Sequence, residues 1–136
     1  MADKTVTITS VRGAGATKVA GEAGIAIGMV LYEASGKLLM AKRTTTLAVA
    51  GARYVALTYA GLNENITAQG PGSTYNPGFA VVVGEIYVVG TGFGGIEALS
   101  AISGVIPTGH FLTIVGFGKT TSLIQLIFQS APTASL

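Results

Sequence analysis

The chain has 136 residues and no cysteine, with 49% hydrophobic residues, only 10% charged residues and a formal net charge of +2. That length fits one domain whose core needs no staples, and the missing thiols exclude a disulfide framework and a thiolate metal site. So little charge, against about 25% in an ordinary soluble domain, leaves a neutral or apolar surface of the kind that partners cover.

Thr5-Val6-Thr7-Ile8-Thr9 alternates strictly and reads as a short strand or an extended arm. Residues 11–24 are small and glycine-rich and read as a flexible or irregular link. All the excess positive charge lies in residues 1–20, on Lys4, Arg12 and Lys18 against Asp3. Residues 25–33 (IAIGMVLYE) form the next strand, 34–37 a turn, and 37–42 the returning strand. Residues 43–51 are Thr-rich and then Ala-rich, enough for one helical turn. Strands follow over 53–60 and 65–69, separated by a turn at 61–64. GPGSTYNPG, residues 70–78, is a loop by composition, with Pro71 and Pro77 as breakers.

Residues 79–96, FAVVVGEIYVVGTGFGGI, are the most apolar stretch. Their valines, isoleucine and tyrosine predict a central strand buried on both faces. Gly84 marks a bulge or corner in it, and Gly90, Gly92, Gly94 and Gly95 a hairpin turn. Residues 100–109 are irregular, 110–117 and 122–129 pair around Gly118-Lys119-Thr120-Thr121, and the last residues fray.

The two halves resemble each other at an offset of 56 to 58 residues: Gly28 over Gly84, Gly36-Lys37-Leu38 over Gly94-Gly95-Ile96, and residues 51–55 over 109–112. The expectation is an all-β fold, a compact barrel or sandwich of about eight short strands built from two similar halves. In residue terms, 1–20 are the arm and link, 21–130 a single β domain with pseudo-repeats 25–69 and 81–129, and 131–136 a tail.

Gly90-Thr91-Gly92-Phe93-Gly94-Gly95 matches the dinucleotide fingerprint G-x-G-x-x-G after a strand. That chemistry needs a following helix and an acid about 20 residues on, and no carboxylate side chain follows Glu97. Gly116-Phe117-Gly118-Lys119-Thr120 ends like a phosphate loop, but position 113 is threonine and strand-like residues follow. Both read as turns, so no cofactor is expected. His110 is the single histidine, Glu85 interrupts an apolar strand, and G-x-S-x-G is absent, so the chain does not read as an enzyme. No basic cluster with interleaved aromatics suggests nucleic acid, and no run approaches the roughly 18 apolar residues of a spanning helix.

Gly28-Met29-Val30-Leu31-Tyr32, Gly36-Lys37-Leu38, Gly84-Glu85-Ile86-Tyr87-Val88-Val89, Gly94-Gly95-Ile96 and Pro107-Thr108-Gly109-His110-Phe111-Leu112 together resemble the head decoration, or cement, proteins of tailed bacteriophages. The similarity covers roughly residues 20–130 and consists of structural motifs. It departs from the family's pattern at residues 100–106, which lack an expected acid, and at 43–52, unusually poor in polar residues. The resemblance implies a β module on the capsid surface of a virion, made in the host cytoplasm, often trimeric and bound to the major capsid protein. The alternative is a receptor- or carbohydrate-binding module of a tail fibre or adhesin. Candidate capsid or intersubunit contacts are Lys4, Thr5, Val6, Thr7, Ile8, Arg12 and Lys18, and Tyr75 is the candidate loop contact.

Overall fold

The computed structural model describes residues 16–102 and 110–131. The expected arm at residues 5–9, the irregular stretch at 103–109 and the tail beyond 131 lie outside the described residues. The fold is all-β, as the alternating and β-branched runs require.

The first half contains β1 (Ala16–Ala20), β2 (Val30–Ala34), β3 (Lys37–Met40), a helical turn α1 (Leu47–Ala50), β4 (Tyr54–Ala56) and β5 (Asn65–Gln69). They close into a five-stranded barrel in the order β1-β3-β2-β4-β5. The β2–β3 hairpin turns at Ser35 and Gly36, both with positive φ, the signature of a two-residue type I′ turn. β1 closes the barrel because it pairs antiparallel with β5 and parallel with β3. Its interior mixes small and large side chains: Ala20, Ala56, Ala60 and Ala68 among Ile25, Leu31, Leu38 and Ile66. A barrel this narrow has room for little more.

The second half contains β6 (Thr74–Tyr75), β7 (Ile86–Val89), β8 (Ile96–Ala98), α2 (Leu99–Ile102), β9 (Leu112–Gly118) and β10 (Ile124–Ala131). They form an open sheet in the order β6-β10-β9-β7-β8. One face, with Tyr75, Val81, Tyr87, Val89, Ile96, Val115, Ile124 and Leu126, shares a core with Val30, Ala41, Ala52 and Val55 of the barrel half. The other face buries Val88 and Leu112 against Ile102 of α2.

The predicted repeat is real in topology. The order β3-β2-β4-β5 of the barrel recurs as β8-β7-β9-β10. Ala26-Ile27-Gly28-Met29 and Val82-Val83-Gly84-Glu85 form the same turn, with φ of 92° at Gly28 and 84° at Gly84. Both turns then make the same contact. Gly28 N–H donates to Ala56 O and Ala56 N–H to Met29 O, while Gly84 N–H donates to Gly118 O and Gly118 N–H to Glu85 O. One offset differs from the sequence alignment. Val55 opposes Val30 as Phe117 opposes Ile86, so β4 corresponds to β9 at an offset of 62 residues. The connection after β9 is shorter than that after β4, which restores 56 at β5 and β10.

Three expectations are corrected. The link predicted over 11–24 holds a strand, β1, because Thr17 and Val19 alternate and β5 offers a ladder. The boundary between link and β domain therefore does not fall after residue 20. The long central strand is only β7. Val82 and Val83 stand in the turn at Gly84, 62% and 60% exposed. Burial on both faces holds for β7 alone.

Candidate functional site

The glycine turn between β7 and β8 is the seam that joins the halves. Gly94 adopts φ 73°. Its N–H donates to Ala41 O and its carbonyl accepts from Val30 N–H, while Arg43 N–H donates to Gly90 O. A Cβ at Gly94 would stand 2.6 Å from Met29 Cγ, so only glycine permits this approach. Beside it, Arg43 Nη1 lies 3.7 Å from Glu97 Oε1, both side chains almost fully buried. Glu97 Oε1 also accepts from Thr91 N–H at 3.2 Å. Lys42 places its ammonium 4.6 Å from the centre of the Phe93 ring. α1 adds a further tie, since Thr113 Oγ1 of β9 donates to Ala50 O.

This geometry explains why the fingerprint motif is not a nucleotide site. A pyrophosphate needs free backbone N–H groups at a helix start. Here Gly90 N–H goes to Gly95 O, Thr91 N–H to Glu97, Gly94 N–H to Ala41 O and Gly95 N–H to Gly92 O, and a strand follows. The second glycine motif is likewise a hairpin. Lys119 N–H donates to Leu123 O, and Thr120 Oγ1 accepts from the N–H groups of Ser122 and Leu123.

The contact residues chosen from sequence are not brought together. Lys4, Thr5, Val6, Thr7, Ile8 and Arg12 lie outside the described residues. Lys18 is a barrel residue in β1, not a charge on a loose link. Its Nζ is 3.4 Å from Glu33 Oε2 and 5.5 Å from the centre of the Tyr54 ring. The Glu33 hydrogen bond, with the Tyr54 phenol, raises the Lys18 pKa above 10.5. Tyr75 is corrected outright. It is 0% exposed in β6, packed in the shared core, because Thr74-Tyr75 pairs with Ile124 and Gln125 of β10. Burial, and secondarily Tyr87, pushes its phenol pKa well up. Its hydroxyl has no hydrogen-bond partner among the described residues.

Glu85 follows the Gly84 turn, half-buried, and accepts from Ser100 Oγ and from its neighbour Ile86 N–H. His110 is half-buried at the entrance to β9. Among the described residues no group of three His, Asp or Glu side chains could hold a metal, and no helix is long and apolar enough to cross a membrane.

Two features escaped the sequence. The Arg43–Glu97 pair joins residues from different halves, and nothing local signals it. A pocket of about 160 Å³ lies beside β8, lined by Phe79, Ala80, Val82, Tyr87, Ile96, Glu97 and Ala98. Its floor is the tilted Phe79–Tyr87 ring pair, with centroids 5.8 Å apart, and the Tyr87 hydroxyl accepts from Val82 N–H. Comparison with protein-family models, with curated proteins and with solved structures finds no match.

Proposed function

We propose that this chain is a structural module of an assembled shell, a decoration or cement protein on the head of a tailed bacteriophage. The observation that carries the reading is the use made of the glycine motifs. The amides and close approach of Gly90–Gly95 join two copies of one β unit, and Gly116–Thr120 closes a hairpin, so the features with the strongest chemical look serve architecture. Large apolar side chains left exposed, Tyr59, Leu62, Val82, Val83 and Phe93, suit a chain that neighbours cover. The resemblance described from the sequence supplies the kind of shell, and with it a homotrimer bound to the major capsid protein.

The tail-fibre or adhesin alternative loses its named contact, since Tyr75 belongs to the core. Lys18 likewise leaves the set of attachment charges, because Glu33 engages it. Lys4 to Ile8 and Arg12 stay in the proposed contact.

Imaging of native particles with an antibody against the chain tests the reading. Label over the head surface supports it; label on the tail, or on no particle, overturns it. Light scattering of the purified chain should give a multiple of 13.7 kDa, with three copies expected.

A further inference from the structure

We infer that copies of this chain bind one another through two different surfaces, the Val82-Val83 turn with Lys119 on one copy and the loop of Tyr59, Leu62 and Glu64 on the next. The inference rests on the self-association in the reading above and not on the shell's being a virion.

The repeat shows that the fold requires neither surface. Val82 and Val83 stand where the barrel half has Ala26 and Ile27, which are half-buried in the same kind of turn. Residues 57–64 link β4 to β5, and the counterpart link between β9 and β10 exposes Lys119, Thr120, Thr121 and Ser122. Each feature is thus built in one half without an exposed apolar pair and in the other half with one. Tyr59 and Leu62 are 71% and 57% exposed, as open as the two valines. Apolar side chains this exposed and rimmed by polar groups mark contact surfaces.

Both surfaces are fixed by their backbones. In the loop, Leu57 N–H donates to Thr67 O, Ala60 N–H to Ile25 O, Asn63 N–H to Ala20 O and Gly61 N–H to the Glu64 carboxylate. At the turn, Val81 N–H donates to Thr121 O, Val82 N–H to the Tyr87 hydroxyl and Gly84 N–H to Gly118 O. A surface already ordered loses little conformational entropy when a partner covers it.

The two surfaces lie toward opposite ends of β7. The Val82-Val83 turn precedes that strand and the Gly90–Gly95 turn follows it. The glycine turn sits on Met29 and Val30, whose own turn is tied to the 57–64 loop through Gly28 with Ala56 and Ile25 with Ala60. The four residues of β7 put about 13 Å of strand between the two ends.

Charge sets the partner and the sense of the contact. Glu64 is exposed beside Leu62, and exposed Lys119 follows Gly118, which lies against Val82 O. The other nearby charges are engaged within the chain, Lys37 by Asn63 Oδ1 at 2.8 Å and Glu85 by Ser100 and Ile86 N–H. A two-fold contact between like surfaces sets Glu64 against Glu64 or Lys119 against Lys119. A heterologous contact sets Glu64 against Lys119 and the valines against Leu62 and the Tyr59 ring. Such contacts close into rings, and three copies give the trimer expected above.

Leu62→Asp blocks one surface and Val83→Asp the other. Both positions are exposed, so both variants should melt with the parent. In light scattering each variant alone should be a monomer of 13.7 kDa. Mixed in equal amounts, they should form a dimer and nothing larger, because one intact surface of each kind remains. A variant that associates like the parent, or a mixture that stays monomeric, overturns the inference. Independently, Lys119→Glu should weaken association at least tenfold at unchanged melting temperature; unchanged association counts against it equally. Particle imaging tests the shell by itself, so the two readings fail separately.

Discussion

The barrel half and the sheet half use one strand order and two outcomes. Where the barrel interior has Leu31 and Ala68, the sheet half has Tyr87 and Ile124 at the corresponding ladder positions. Small interior residues let five strands close; the larger set needs more room and packs against Val30, Ala52 and Val55 of the barrel half instead. Closure also needs a strand that reaches both neighbours. β1 has five residues and reaches both; β6 has two and stops before Pro77. A duplicated topology does not ensure a duplicated barrel, because closure depends on interior volume and on one uninterrupted strand.

The largest effect that sharpens this contrast is at Gly116. It occupies the place of Tyr54 in the barrel, yet a Cβ there would stand 1.9 Å from Gln125 O. Gly116→Ala must therefore displace backbone, and should cost about 3 kcal/mol or more. Chemical denaturation is expected to show it as a large loss of midpoint. A stable Gly116→Ala protein would break the claim that β9 and β10 approach more closely than a side chain allows.

Next is the ion pair across the seam. Arg43→Met leaves Glu97 buried without its cation and should cost about 3–5 kcal/mol, while adding Glu97→Leu should restore much of the loss. Equal stability of single and double variants would mean that Glu97 is not compensated by Arg43.

The two hairpin glycines offer a matched pair. Gly36 and Gly94 have φ of 77° and 73°, but a Cβ at Gly36 meets nothing within 4 Å whereas at Gly94 it meets Met29. Gly36→Ala should cost about 1–2 kcal/mol from backbone strain alone. Gly94→Ala adds the collision, about 1–3 kcal/mol more. Gly94→Ala with Met29→Ala should recover part of that difference in thermal melts; no recovery would remove Met29 as the cause.

The smallest effect concerns the barrel's outer face. The Lys18 pKa is raised by the Glu33 hydrogen bond, so its contribution is full below the unfolded value of 10.5 and fades as pH rises through the higher folded value. Lys18→Met should thus melt slightly below the parent at neutral pH, and the gap should close in alkali. Salt should narrow it as well, since the pair is solvent-accessible. A gap that widens with pH would assign Lys18 another partner.

Local chemistry made much of this legible. Gly36 marked a tight turn because glycine takes a positive φ without steric cost, and the alternation at 65–69 marked β5. Glycines at 28 and 84 carried the repeat because each sits at a left-handed turn position. By themselves, the residues determined an all-β chain in two similar halves whose glycine motifs are turns. Tertiary structure decided the rest. Tyr75 has the composition of a loop around it, yet the pairing of Thr74-Tyr75 with Gln125 and Ile124 of β10 draws it into the core. Valines 82 and 83 have the strongest strand propensity, yet the Gly84 turn holds them in solvent. Arg43 and Glu97 meet only because two halves dock. Burial, ladder partnership and the meeting of distant charges depend on the whole chain, while turns and alternation depend on neighbours two to four positions apart.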